Sequence, residues 1–148
     1  MLTACTSDTV NIMQGFANTD TVPDMQQITP LIRELFQQEE VIVLVLFGSF
    51  SRGHERSISD IDLCIITSRN LPSSDRWNLM SYGSRQIDVN IFWDLPINIR
   101  FRVIQEGCMI FCKDALFFHR VKTETVREYI DVAPLIRKHC IHAMSVRV

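Results

Sequence analysis

Two aspartates one residue apart, Asp60 and Asp62, follow a Gly48-Ser49 pair across ten residues in the stretch GSFSRGHERSISDIDL. On a β-strand, positions i and i+2 share a face, so the two carboxylates form an acidic clamp while Ile61 and Leu63 turn to the other side and into a core. Gly48 falls where an apolar run ends and the chain must turn. Glycine permits the tight geometry and lets a phosphate come close to the backbone, and Ser49 adds a hydroxyl donor. Asp88, in QIDVNIF, lies near the start of another apolar run and supplies a third carboxylate if that strand pairs beside the first. Three adjacent carboxylates repel one another strongly. Such a cluster persists where hard cations such as Mg²⁺ neutralise it, and Mg²⁺ prefers a few carboxylates together with substrate phosphates. The parts describe phosphoryl or nucleotidyl transfer. The Gly-Ser turn holds the triphosphate, two metal ions sit between Asp60 and Asp62, and Asp88 helps activate the attacking oxygen for in-line displacement at phosphorus. Arg52 in the same stretch can bond phosphate oxygens in pairs through its guanidinium. His54 and Arg56 read as solvated loop residues.

These residues need strands and turns to place them, and the pattern provides both. VIVLVLF, residues 41–47, is a continuous apolar run without alternation, the mark of a strand buried on both faces. IDLCIIT (61–67) and QIDVNIF (86–92) have the same β-rich character, and CMIFC (108–112) reads as a short further strand. Before them, Thr29 as N-cap and Pro30 at the first helical position open a helix with Leu31, Ile32, Leu35 and Phe36 on one side. Between the second and third strands lies a loop with at most one short helix, near Asp75 to Met80. Asp94 is expected to cap a helix that starts at Pro96 and stops at about Glu106 on a left-handed Gly107. Asp114 caps a long C-terminal helix, which Pro134 should kink or break near Ala133. The expected fold is therefore α/β, a small mixed sheet of three to four strands covered by helices. Residues 1–28 form a polar, Thr-rich arm, and residues 29–148 the folded domain.

Composition narrows the function classes. With 148 residues and 47% apolar content, the chain builds one core and leaves no room for a second domain. Fifteen basic against 17 acidic residues give no general positive field, so direct nucleic-acid binding is not expected. Five cysteines (Cys5, Cys64, Cys108, Cys112, Cys140) form neither a CxxC pair nor an even framework, which suits a reducing cytoplasm and small core residues. LTAC at residues 2–5 is too close to the start to end a signal peptide, which needs about 7 to 15 apolar residues before its cleavage site. No stretch reaches the ~18 apolar residues of a membrane span. The expectation is a soluble, cytoplasmic protein without a membrane partner.

The Gly-Ser pair, its ten-residue spacing and the Asp-x-Asp with apolar neighbours resemble the signature of the polymerase β nucleotidyltransferase superfamily. In its fuller form the stretch is similar to the minimal nucleotidyltransferase branch, which Arg52-Gly53 and Ser59 also match. The resemblance continues through Asp88, the helix with Arg100, Arg102, Glu106 and Gly107, and REYIDVAPLIRK at residues 127–138, where the pattern is similar to MntA-like antitoxins. It covers roughly residues 29–142. The resemblance implies that Asp60, Asp62 and Asp88 are the catalytic and metal-binding residues, and that Gly48, Ser49, Arg52 and Ser59 bind the nucleotide. It further implies transfer of AMP from ATP to a tyrosine of a HEPN-domain RNase toxin, which silences that partner. The arm at 1–28 has no counterpart in the family. The 68–85 segment lacks the amphipathic helix usual there.

Other residues take plainer readings. His139 and His142, at i and i+3 around Cys140, have no third or fourth ligand in the sequence and read as surface histidines. Cys108 and Cys112 read as core on one face of a strand. Phe117, Phe118, Val121 and Tyr129 read as packing rather than a base-stacking platform. Seven basic against four acidic residues from Lys113 onward could dock an acidic partner or simply solvate a helix face. Two other functions use the same motif. A small-molecule nucleotidyltransferase of the aminoglycoside type would need an added acceptor domain, for which no chain remains. An antitoxin that masks its toxin by contact alone would have no use for a repulsive acidic cluster.

Overall fold

The computed structural model of the chain describes residues 25–48 and 61–145. Within these, helix α1 (Met25–Gln37) leads into β1 (Val43–Phe47), and β2 (Ile61–Ile66) is followed by α2 (Ser73–Met80) and β3 (Ile87–Ile91). A 3-10 turn (Phe92–Asp94), α3 (Ile97–Glu106), β4 (Cys108–Cys112) and the long α4 (Ala115–Ser145) complete the order. The strands form one mixed sheet in the order β3-β2-β1-β4, so the fold is the expected α/β, with four strands. β1 pairs antiparallel with β2 and β4, and β2 pairs parallel with β3. A parallel pair cannot be joined by a hairpin, and α2 lies on the crossover that it requires. That helix has eight residues and buries only Leu79, so the 68–85 segment does hold one short helix, as read from the sequence.

Two cores lie on opposite faces of the sheet. On one, Leu44, Leu46, Ile61, Leu63, Ile65 and Val89 pack with Ile28 and Leu35 of α1 and Leu79 of α2. On the other, Val43, Val45, Cys64 and Ile66 pack with Phe92, Val103 of α3 and Val121 of α4. β1 sits between two neighbours and buries Val43 to Leu46 on both sides, which explains its unbroken apolar run. Burial raises the thiol pKa of Cys64 far above its ordinary value and keeps it an inert core residue.

α3 and α4 are locked together. Arg100 donates from both terminal nitrogens to the Glu128 carboxylate at 3.1 and 3.0 Å, and from Nε to the Leu95 carbonyl at 3.0 Å. Phe101 stacks on Tyr129 with ring centroids 3.9 Å apart. Tyr129, Phe117, Phe118 and Val121 are thus packing residues, as expected. Asp114 caps α4 by accepting from the Phe117 N–H at 2.9 Å.

Five local expectations are corrected. α1 begins at Met25 rather than at a Thr29 cap, and Pro30 lies inside it. Ile28 is fully buried, so core packing extends the apolar stripe a turn earlier and offsets the backbone bond that Pro30 cannot make. Asp94 does not cap α3. It accepts from Arg76 Nη1 at 2.7 Å, and the α3 N-cap, Pro96, makes no side-chain cap bond. Gly107 is extended (φ −68°, ψ 149°), not left-handed. Its glycine is required by space, because a Cβ there would overlap the Val103 carbonyl and Val45 Cγ1. α4 is not broken at Pro134 but runs through it as one helix, the proline being exposed where water can satisfy the carbonyl it frees. Finally, Cys108 and Cys140 are exposed, and Cys112 only half-buried. The register of β4 shifts opposite Leu44/Val45, which buries the consecutive residues Ile110 and Phe111 and breaks the alternation that would have put Cys108 in the core.

Candidate active site

The parallel pairing of β2 and β3 sets Asp62 directly opposite Asp88, and the antiparallel pairing with β1 sets Phe47 on the other side of Asp62. Asp62 shares its face with Cys64 and Ile66, whose side chains lie in the core beneath α3 and α4. At the Asp62 end that face turns polar. Asp62 is half-buried and Asp88 exposed, so both carboxylates sit at the border of core and solvent. Asn90, two residues along β3 and on the same face, donates from Nδ2 to Asp88 Oδ2 at 3.0 Å. Ile61 and Leu63 face the opposite core, as alternation demanded.

Gly48 closes this end of the sheet. Its φ of +87° lies in the left-handed region where other residues are strained. A Cβ there would overlap Asp62 Oδ2 and come within 3.2 Å of Asp62 Cγ. The glycine therefore serves two purposes. It turns the chain out of β1, and it leaves the Asp62 carboxylate room beside the backbone.

The structure brings Gly48, Asp62 and Asp88 together. Asp60, Ser49, Arg52 and Ser59, with His54 and Arg56, lie outside the described residues. Among the described residues no three His, Cys, Asp or Glu side chains gather as a metal site. His139 and His142 are exposed and line an open recess with Leu135 and Lys138. No helix among the described residues is long and apolar enough to cross a membrane.

Next to Gly48 the structure adds residues that the motif alone does not include. Phe47, Gly48, Ile99, Arg102 and Glu106 line a recess of about 110 Å³ between the end of β1 and the last turns of α3. Arg100 and Arg102 are two apart on a helix and so point about 200° from each other. Arg100 is committed to Glu128, while Arg102 reaches the recess. The sequence signal was the Arg-x-Arg spacing on α3. Only the packing of that helix says which arginine faces which way.

A model of the polymerase β nucleotidyltransferase family matches residues 30–116 of the chain, the span that carries all four strands and the Gly48 turn. No curated protein sequence matches it. Among solved structures, a toxin–antitoxin complex with AMP-PNP is similar at 20% identity and a TM-score of 0.63, over 80% of this chain and 97% of that one. An MntA–HepT toxin–antitoxin complex is similar at 16% identity and a TM-score of 0.60, over 80% and 98%. A chain of a complex of a tri-AMPylated Shewanella oneidensis HEPN toxin with an MNT antitoxin is similar at 17% identity and a TM-score of 0.58, over 80% and 94%. At these identities the likeness is one of fold.

Proposed function

This chain belongs to the polymerase β nucleotidyltransferase family, and we propose that it is a minimal nucleotidyltransferase antitoxin that transfers AMP from ATP to a tyrosine of a partner HEPN RNase toxin. The observation that carries the reading is the register of β2 and β3, which sets Asp62 and Asp88 side by side with the bare Cα of Gly48 against the Asp62 carboxylate. The fold it shares with chains from toxin–antitoxin complexes, one of them with AMP-PNP and one with a tri-AMPylated HEPN toxin, supports the choice of nucleotide and partner.

Carboxylate oxygens at the edge of solvent are the donor set that suits a hard divalent cation. Asp60, Asp62 and Asp88 would hold two Mg²⁺ ions. When bound, they supply charge neutralisation for the carboxylates and the triphosphate. The chain's own residues do the rest. Gly48 and Ser49 receive the β- and γ-phosphates, with Arg52 and Ser59 from the same stretch. Asp88, oriented by Asn90, accepts the proton of the tyrosine hydroxyl. The tyrosine oxygen forms its bond to the α-phosphorus as the bond to the β-phosphate oxygen breaks, and the electron pair leaves with pyrophosphate.

A brief exposure of the toxin to this protein with ATP and Mg²⁺ distinguishes covalent silencing from masking. After the two are separated, the toxin should stay inactive and carry added AMP mass on tyrosine. Asp88→Asn should keep ATP and partner affinity and lose that lasting inactivation. A toxin that recovers full RNase activity with no added mass would establish masking by contact and overturn the proposal.

A further inference from the structure

We propose that Arg102 is a phosphate ligand, holding the tail of the nucleotide from the helix side of the recess while the Gly48 turn holds it from the strand side. The inference rests on the nucleotidyl-transfer reading above and extends its binding site to α3.

The first support is the charge state of the surroundings. Arg69, Arg76 and Arg100 each bond a carboxylate, of Glu124, Asp94 and Glu128 respectively. Among the described residues the Arg102 guanidinium has no hydrogen-bond or ion-pair partner. It lines the same recess as Gly48, whose backbone abuts Asp62. Glu106, one turn further along α3, also lines the recess. It too has an interaction partner.

The second support is the shape and lining of the recess. The recess, of about 110 Å³ and open to solvent, leaves room for a phosphate group. Phe47 and Ile99 form apolar walls, which lower the local dielectric and strengthen a guanidinium-phosphate bond. A planar guanidinium can bond two phosphate oxygens at once. Opposite a left-handed glycine, whose backbone an anion can approach closely, it completes a two-sided grip on the end of the tail. The Arg100 lock to Glu128 fixes the rotation of α3 and hence the direction in which Arg102 points.

The test is calorimetric titration of the full chain with ATP, pyrophosphate and AMP in Mg²⁺, for wild type, Arg102→Ala and Arg102→Lys. Arg102→Ala should weaken ATP and pyrophosphate at least tenfold, leave AMP within twofold, and keep the melting temperature, since the side chain is exposed and unpaired. Arg102→Lys should fall between, because an ammonium keeps the charge and loses the fork. Should the alanine variant fail to fold, Arg102→Gln gives the same comparison. Wild type that binds no ATP would remove the transfer reading itself. Wild type that binds ATP, with Arg102→Ala unchanged for ATP and pyrophosphate, would overturn the inference alone. A loss equal for AMP and ATP would also overturn it, by placing Arg102 on the nucleoside end.

Discussion

On β2 the odd-numbered residues Ile61, Leu63 and Ile65 are sealed beneath α1 and α2, whereas the even series opens with half-buried Asp62 before Cys64 and Ile66 close under α3 and α4. β3 divides in the same way, with Val89 buried on one side and Asp88 and Asn90 on the other. The strands thus have one face given wholly to packing and one that packs at one end and presents carboxylates at the other. The closed face supplies rigidity, which holds two like charges in adjacent register despite their repulsion. Proteins place charge on a rigid border of this kind only where something offsets it. The comparison makes each face separately breakable: changes on the closed face should act on stability, and changes on the polar end should act on chemistry.

Asp62→Asn offers the largest effect. On the proposed reading it removes a metal ligand, and AMP transfer should fall by about a thousandfold or more, equivalent to ~4 kcal/mol in the barrier. The isostere fills the same space and relieves repulsion with Asp88, so the melting temperature without Mg²⁺ should stay level or rise. Substantial transfer by the variant in a single-turnover assay would break the division between the faces. Leu63→Ala, one residue along and fully buried, should do the reverse. It opens a cavity and should cost about 2 to 5 kcal/mol of stability. Its turnover per folded molecule should stay near that of wild type. Denaturant unfolding read beside activity at low temperature separates the two, and a Leu63→Ala protein that is stable but inactive would show that the closed face shapes the chemistry directly.

How much of this was legible in the sequence depends on whether a feature is local. The four strands follow from β-rich apolar runs, and the Asp114 cap from a side chain acting on its own helix. The start of α1 was not legible, because Ile28 is held by residues far away in sequence. Gly107 shows a different limit. Glycine after a helix signals either a left-handed stop or a close contact, and only the approach of Val45 and the Val103 carbonyl decides for the contact. Cys108 lies outside the core because a register shift on an edge strand reverses the alternation, and no residue type announces such a shift. At the site, the carboxylates and the Gly48 turn are visible as a motif. Whether Asp88 joins Asp62 depends on which strand pairs with β2, a property of topology, and the opposite commitments of Arg100 and Arg102 depend on helix packing.

The smallest expected effect tests the polar face most finely. Asn90 touches no part of the proposed reaction directly; it donates one hydrogen bond to Asp88 Oδ2 across positions i and i+2 of β3. That bond restricts the Asp88 carboxylate to one rotation and leaves its other oxygen for a metal ion or a proton. Asn90→Ala frees the rotation without changing any charge. A single hydrogen bond to a charged group is worth about 1.5 to 3 kcal/mol, and exposure to water reduces this one, because solvent replaces the lost donor. Turnover should therefore fall by no more than about tenfold, or ~1.4 kcal/mol. Because Asn90 is half-buried at the rim and outside both cores, the melting temperature should hold, and ATP affinity should hold because Asp88 serves proton transfer more than nucleotide binding. The positioning role has a further signature. The loss should fall on kcat and leave KM for ATP unchanged in Asn90→Ala, and turnover should return with Asn90→Gln if the longer amide reaches the same oxygen. A loss carried by KM for ATP instead of kcat would make Asn90 a structural neighbour only, and the polar face would then reduce to its carboxylates and the Gly48 turn.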